Sequence, residues 1–170
     1  LTKIGGYIGE NIFEIKERGN YSGVTSFDLS GDVNYLTTKS GILYELKNGE
    51  SRIALDLTND SKFVDHDEMG LLSVVSNNKF VYVSYTIDVP DGDKHRYYLV
   101  VDEYSKTFDK VKNIVQIELT TPEHLAGTLV FDNLGKLYLS VGDGGGTPGG
   151  AQENYAQNLR SLRGKILRFD

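Results

Sequence analysis

Three stretches of the chain repeat one another: "GVTSFDLSGDVNYLTT" from Gly23, "GLLSVVSNNKFVYVSYT" from Gly70 and "GTLVFDNLGKLYLSVGD" from Gly127. Each reads as a glycine, an alternating strand, a polar turn and a tyrosine-centred strand. Their starts lie about 50 residues apart, the period of architectures that stack four-stranded units. One such unit cannot bury both of its faces alone, so neighbours must cover them. The repeat therefore points to β-propeller blades. A β-sandwich or a meander with look-alike hairpins is the alternative.

Hydrophobicity along the chain supports an all-β reading. It alternates at period two and breaks at Gly, Asn, Asp or Ser. Strands are expected near 11–17, 24–30, 33–39, 42–48 and 51–58, then near 71–77, 80–87, 97–105 and 113–120. A last group falls near 128–132, 136–142 and 165–170. Eleven Tyr and seven Phe suit a pleated, half-buried surface. The one plausible helix, Ala151 to Leu162, is short and polar. Residues 1–170 thus read as a single partial propeller domain with blade-like units at 11–58, 70–120 and 124–170. The first group has a strand too many and the last a strand too few, so the N-terminal strand is a candidate to complete the last blade. Three blades are too few to close a ring. The expectation is a partial or half ring of a six-bladed propeller, completed by the remaining blades of a longer chain or by a second copy in a homodimer.

Charge and length exclude several roles. A net charge of −6 without a basic run gives no footprint for nucleic acid. No apolar run is long enough for a membrane span. The chain opens on Leu1 with no signal-peptide pattern, so it reads as processed or cut from something longer. The absence of cysteine removes disulfides, thiolate metal sites and a cysteine nucleophile.

Several motifs carry chemistry on paper. Gly144 to Gly149 satisfies G-x-G-x-x-G after a strand, with Asp170 about 20 residues on, as in a dinucleotide fingerprint. Pro148 and the hairpin-rich context oppose that reading, and a surface loop between blade strands is the competing one. A P-loop is excluded because no Gly-Lys-Ser/Thr closes the run. His66 and His95 sit in polar surroundings and read as surface or structural. His124 differs, because it stands directly before an innermost-type strand. There a neutral imidazole can accept a proton, and Asp143 at the far end of the next strand can fix its tautomer and raise its basicity. Glu68 holds the corresponding rim position of the preceding blade. The cluster Asp65-His66-Asp67-Glu68 reads either as a metal site or, more simply, as a solvated acidic turn.

Three stretches then bring in a family. "DEMGLLSVVSNNKFVYVSYT", "HLAGTLVFDNLGKLYLSVGDGG" and "AQNLRSLRGKILRFD" resemble, in order and spacing over residues 65 to 170, the quinoprotein glucose and sorbosone dehydrogenases and the related hedgehog-interacting-protein-like proteins. The resemblance implies a six-bladed propeller using pyrroloquinoline quinone and calcium to oxidise the C1 hydroxyl of a sugar, in an extracellular or periplasmic (secreted) setting. It implies that His124 is the base and Asp143 its orienting partner. Glu68 falls where the glucose enzymes place a glutamine that contacts substrate or cofactor, and Thr128 where many members have Arg or Gln. The family's quinone-gripping segment and most of its calcium ligands lie in later blades, so the resemblance implies that this chain alone does not bind the cofactor in the family's manner. Two functions follow: a sugar dehydrogenase, or a non-catalytic propeller segment for protein or glycan binding or for structural assembly.

Overall fold

A computed structural model describes residues 5–8, 11–14, 19–145 and 155–170, with side chains from 19–145 and 155–170. Among them are thirteen strands and no helix: β1 (Gly5–Ile8), β2 (Asn11–Glu14), β3 (Val24–Asp28), β4 (Asn34–Thr38), β5 (Ile42–Lys47), β6 (Glu50–Asp56), β7 (Leu71–Ser76), β8 (Phe80–Asp91), β9 (Lys94–Ser105), β10 (Lys110–Glu118), β11 (Ala126–Phe131), β12 (Leu137–Val141) and β13 (Lys165–Phe169). They form antiparallel meanders in the orders β3-β4-β5-β6, β7-β8-β9-β10 and β11-β12-β13, plus a β1-β2 hairpin. This is an open, propeller-like row of sheets.

Two expectations need correction. The N-terminal strand does not complete the last blade: β2 pairs with β1, and the third sheet has three strands among the described residues. The expected helix is also not there. Residues 155–157 and 159–160 are turns, because the polar run offers no apolar stripe to pack. Residues 151–154 lie outside the described ones.

The sheets stack face to face. Leu43, Leu71, Val83, Tyr85 and Val100 fill the space between the first and second sheets. Leu99, Val101, Leu129, Leu139 and Val141 fill the space between the second and third. Successive sheets also bond to one another directly. Thr25 Oγ1 donates to the Leu71 carbonyl at 2.7 Å, Leu129 N–H to Ser73 Oγ at 3.0 Å, and Ser84 Oγ to the Gly127 carbonyl at 2.5 Å. Ser73 and Ser84 are buried, so these bonds satisfy polar groups that water cannot reach.

The repeated glycine now has a cause. A Cβ on Gly70 (φ +146°) would lie 2.4 Å from the Lys39 carbonyl oxygen, and one on Gly127 (φ +93°) would lie 2.6 Å from Leu72. At Gly70 the backbone presses on the sheet before, a closeness only glycine allows, and at Gly127 the left-handed φ favours glycine as well.

Up-and-down connectivity sorts the loops into two rims. The hairpins β3-β4, β5-β6, β7-β8, β9-β10 and β11-β12 turn on one rim, and the links between sheets run along the other. His124, Asp143 and Glu68 all lie on the linking rim.

Candidate active site on the linking rim

The link from β10 into β11 is held in an unusual backbone shape. His124 and Ala126 both have left-handed φ, +55° and +58°. Each costs about 1 kcal/mol for a residue with a Cβ. Several bonds hold the shape in place. The His124 carbonyl accepts Gly144 N–H at 3.3 Å, and the Leu125 carbonyl accepts Gly142 N–H at 2.9 Å. Thr120 Oγ1 and Thr121 Oγ1 donate to the Gly144 carbonyl at 3.2 and 2.7 Å. Leu125 is fully buried in the second core, which anchors the residue next to the histidine.

The β12 end closes on the histidine from the other side. A Cβ on Gly142 would fall 1.6 Å from the His124 carbonyl oxygen, so that position admits only glycine. A Cβ on Gly145 would lie 3.7 Å from the imidazole Cγ. His124 Nδ1 stands 3.4 Å from Asp143 Oδ1, which also accepts Gly145 N–H at 3.0 Å. At 3.4 Å the pair is an electrostatic contact, longer than a well-formed hydrogen bond. The imidazole is 58% exposed and the carboxylate 42%, so a solute can reach both.

Glu68 comes from the link before β7. Its Oε2 accepts the backbone N–H of His124 at 2.6 Å and that of Leu125 at 3.4 Å. His124, Asp143 and Glu68 are therefore brought together. Thr128 is not: its N–H donates to Ser140 Oγ at 3.0 Å, and its side chain lies on the exposed face of β11, opposite Leu129.

The remaining sequence motifs resolve differently. β12 and β13 are antiparallel neighbours, so the glycine run bridges a pair of meander strands and not the parallel crossover of a dinucleotide fold. Of that run, Gly146 to Gly149 lie outside the described residues. His66 Nδ1 pairs with Asp67 at 2.9 Å and His95 Nδ1 with Asp88 at 2.5 Å, both rings flanking Tyr97. Among the described residues no group of three carboxylates or imidazoles could hold a metal.

Sequence reasoning missed Thr120, Thr121, Gly142 and Arg163. Thr120-Thr121-Pro122 just ahead of His124 was the available signal for a shaped loop. The Arg163 guanidinium stacks 3.5 Å from the Tyr155 ring centre, and its Cδ lies 3.8 Å from where a Gly144 Cβ would be. A carboxylated quinone requires converging cationic donors, and calcium requires six to eight oxygens. One stacked guanidinium and no three-ligand cluster among the described residues do not fit that pair.

Comparison with known proteins agrees with this architecture. Aldose sugar dehydrogenase YliI of Escherichia coli is 29% identical over 151 residues, covering 79% of this chain and 39% of that protein. HIPL1 protein of Arabidopsis thaliana is 44% identical over 61 residues, 36% of this chain and 8% of that protein. The crystal structure of an oxidoreductase described as a glucose dehydrogenase, from Thermus thermophilus, superposes with a TM-score of 0.67 at 20% identity, over 88% of this chain and 44% of that one, a likeness of fold. The chain thus spans less than half the length of these relatives. The family model for Glucose / Sorbosone dehydrogenase matches residues 26–170, and the chain belongs to that family.

Proposed function

We propose that this chain carries the proton-abstracting part of an aldose dehydrogenase site. The observation that supports it is the reachable His124–Asp143 pair, held on the rim where loops from successive sheets converge. Neutral His124 takes the proton of the sugar C1 hydroxyl at Nε2, because Nδ1 faces Asp143. The carboxylate keeps the Nδ1–H tautomer and stabilises the imidazolium that forms. Gly145, whose Cβ would lie 3.7 Å from the imidazole Cγ, places no side chain against the ring. Completing the oxidation would require a hydride acceptor that these residues do not supply; the family resemblance implies pyrroloquinoline quinone with calcium, which would supply it.

The test is sugar-dependent dye reduction by the protein in its completed ring, supplied with pyrroloquinoline quinone and calcium, alongside His124→Ala. Activity that falls on the order of 10²-fold or more in the variant supports the proposal. Equal rates in both reject it.

A second reading, a non-catalytic segment used for assembly or for protein or glycan binding, draws on the outer sheet faces. Phe27 and Ile53 on the first sheet and Val130 and Ile166 on the third are exposed, at 64%, 55%, 54% and 77%. These are faces a further blade or a second copy would cover. Light scattering separates the cases: a strictly monomeric, stably folded chain is incompatible with a paired half ring.

A further inference from the structure

Glu68 occupies a position the family resemblance assigns to a side chain that contacts substrate or cofactor. Its contacts here are of another kind. Oε2 is turned onto the backbone, taking the His124 N–H at 2.6 Å and the Leu125 N–H at 3.4 Å. The residue is itself fixed. Its own N–H donates to the Pro122 carbonyl at 3.3 Å, and the next residue, Met69, is fully buried in the second core. Just before it, Asp67 takes a left-handed φ of +49° and receives the Lys39 ammonium on its carbonyl.

The two amides that Glu68 accepts belong to the segment with the greatest backbone strain on this rim. A residue with a Cβ does not stay at φ +55° without something to hold it. On the carbonyl side Gly144 N–H supplies the hold, and on the amide side the carboxylate does. An ionised acceptor makes the stronger kind of hydrogen bond. We propose that Glu68 is a positioning residue: its carboxylate clamps the left-handed backbone of His124 and so aims the imidazole at the hydroxyl it deprotonates. This rests on the proposed dehydrogenase reading for its consequence in rate, but not for the clamp itself.

The test uses the whole chain, 15N-labelled, as parent, Glu68→Ala and Glu68→Gln, with the amides of β11 and β12 reporting the fold. In Glu68→Ala the His124 and Leu125 amide protons are expected to move upfield and to exchange about tenfold faster, while the strand amides stay in place. In the completed ring, with quinone, calcium and sugar added, kcat falls about 10²-fold with KM little changed, as for a base displaced by about 1 Å. Glu68→Gln keeps only a neutral acceptor oxygen and restores part of both readouts.

Unmoved amides in Glu68→Ala overturn the proposal. So does a raised KM with kcat retained, which would make Glu68 a substrate contact. If Glu68→Ala does not fold, the amides of Glu68→Gln decide: a neutral acceptor should leave them exchanging severalfold faster than the parent, and unchanged exchange overturns the clamp. A parent that is inactive with quinone in its completed ring refutes the dehydrogenase reading, and the amides still decide the clamp.

Discussion

The Tyr85 hydroxyl donates a 2.5 Å hydrogen bond to Asp102, a carboxylate with no solvent exposure in the middle of β9. Lys110 reaches the same oxygen at 2.6 Å, and Asn113 Nδ2 donates to the other at 2.9 Å. A buried charge survives only when its lone pairs are matched this fully. The cluster faces the first sheet, where Tyr85 and Tyr104 pack in the first core. It ties β8, β9 and β10 together from inside.

Asp102→Asn should therefore be among the most destabilising conservative changes in the chain. It presents an amide to Lys110 and removes the charge that three donors share. A loss of about 3 kcal/mol is expected, allowing for Lys110 being half exposed. Urea unfolding with an unchanged m value would measure it. A loss under about 0.5 kcal/mol would mean that the cluster is not a structural anchor.

Much of the fold is legible in the sequence, and particular residues show why. Val81, Val83 and Tyr85 alternate with Tyr82 and Ser84, so their strand declared itself. Its length did not: Asp-Val-Pro-Asp-Gly-Asp reads as a loop, yet β8 and β9 continue to Asp91 and Lys94. Beyond Tyr85 the β8 edge no longer faces β7, so Pro90 withholds no donor from the sheet. His124 and Asp143 were legible as chemistry because each opens or closes a strand. The clamp from Glu68 was not, since it joins residues 56 apart through a backbone amide that no side-chain pattern encodes.

Alkali should unfold the protein through its tyrosines. Burial, reinforced by the Glu103 carboxylate, pushes Tyr82 up to about 12. Burial, reinforced by the charges of Asp102 and Asp60, pushes Tyr104 up to about 12, and Tyr85 is raised further. These groups hold protons in the folded chain that the unfolded chain releases near 10. Stability is full below that pH and falls as pH rises towards about 12. A tyrosinate absorbance step coincident with loss of circular dichroism in that window is expected. Ionisation of all eleven tyrosines with the fold intact would contradict it.

Gly142→Ala tests the shape of the linking rim without touching a titratable group. The added methyl has the His124 carbonyl in its path, so the β10-β11 link or the start of the β12-β13 link has to move. A stability loss of about 2 kcal/mol is expected. The dehydrogenase rate should fall with it. Full activity in this variant would show that the His124 backbone is free to rearrange.

Asp143→Asn separates charge from scaffolding. An asparagine oxygen can still accept Gly145 N–H, so the loop should keep its form. The imidazolium that forms on proton transfer loses its counter-charge. A kcat on the order of 10²-fold lower, with the melting temperature preserved, is the expected pattern. An unaltered kcat would leave Asp143 as a loop residue.

The division into two rims has a practical side. The turn at Asn48-Gly49 lies on the rim away from His124, is exposed, and has open space around it. Because the chain contains no cysteine, Glu50→Cys would supply a unique thiol at that turn. Molecules attached to a surface through it would all stand the same way up, with the histidine rim facing the solution.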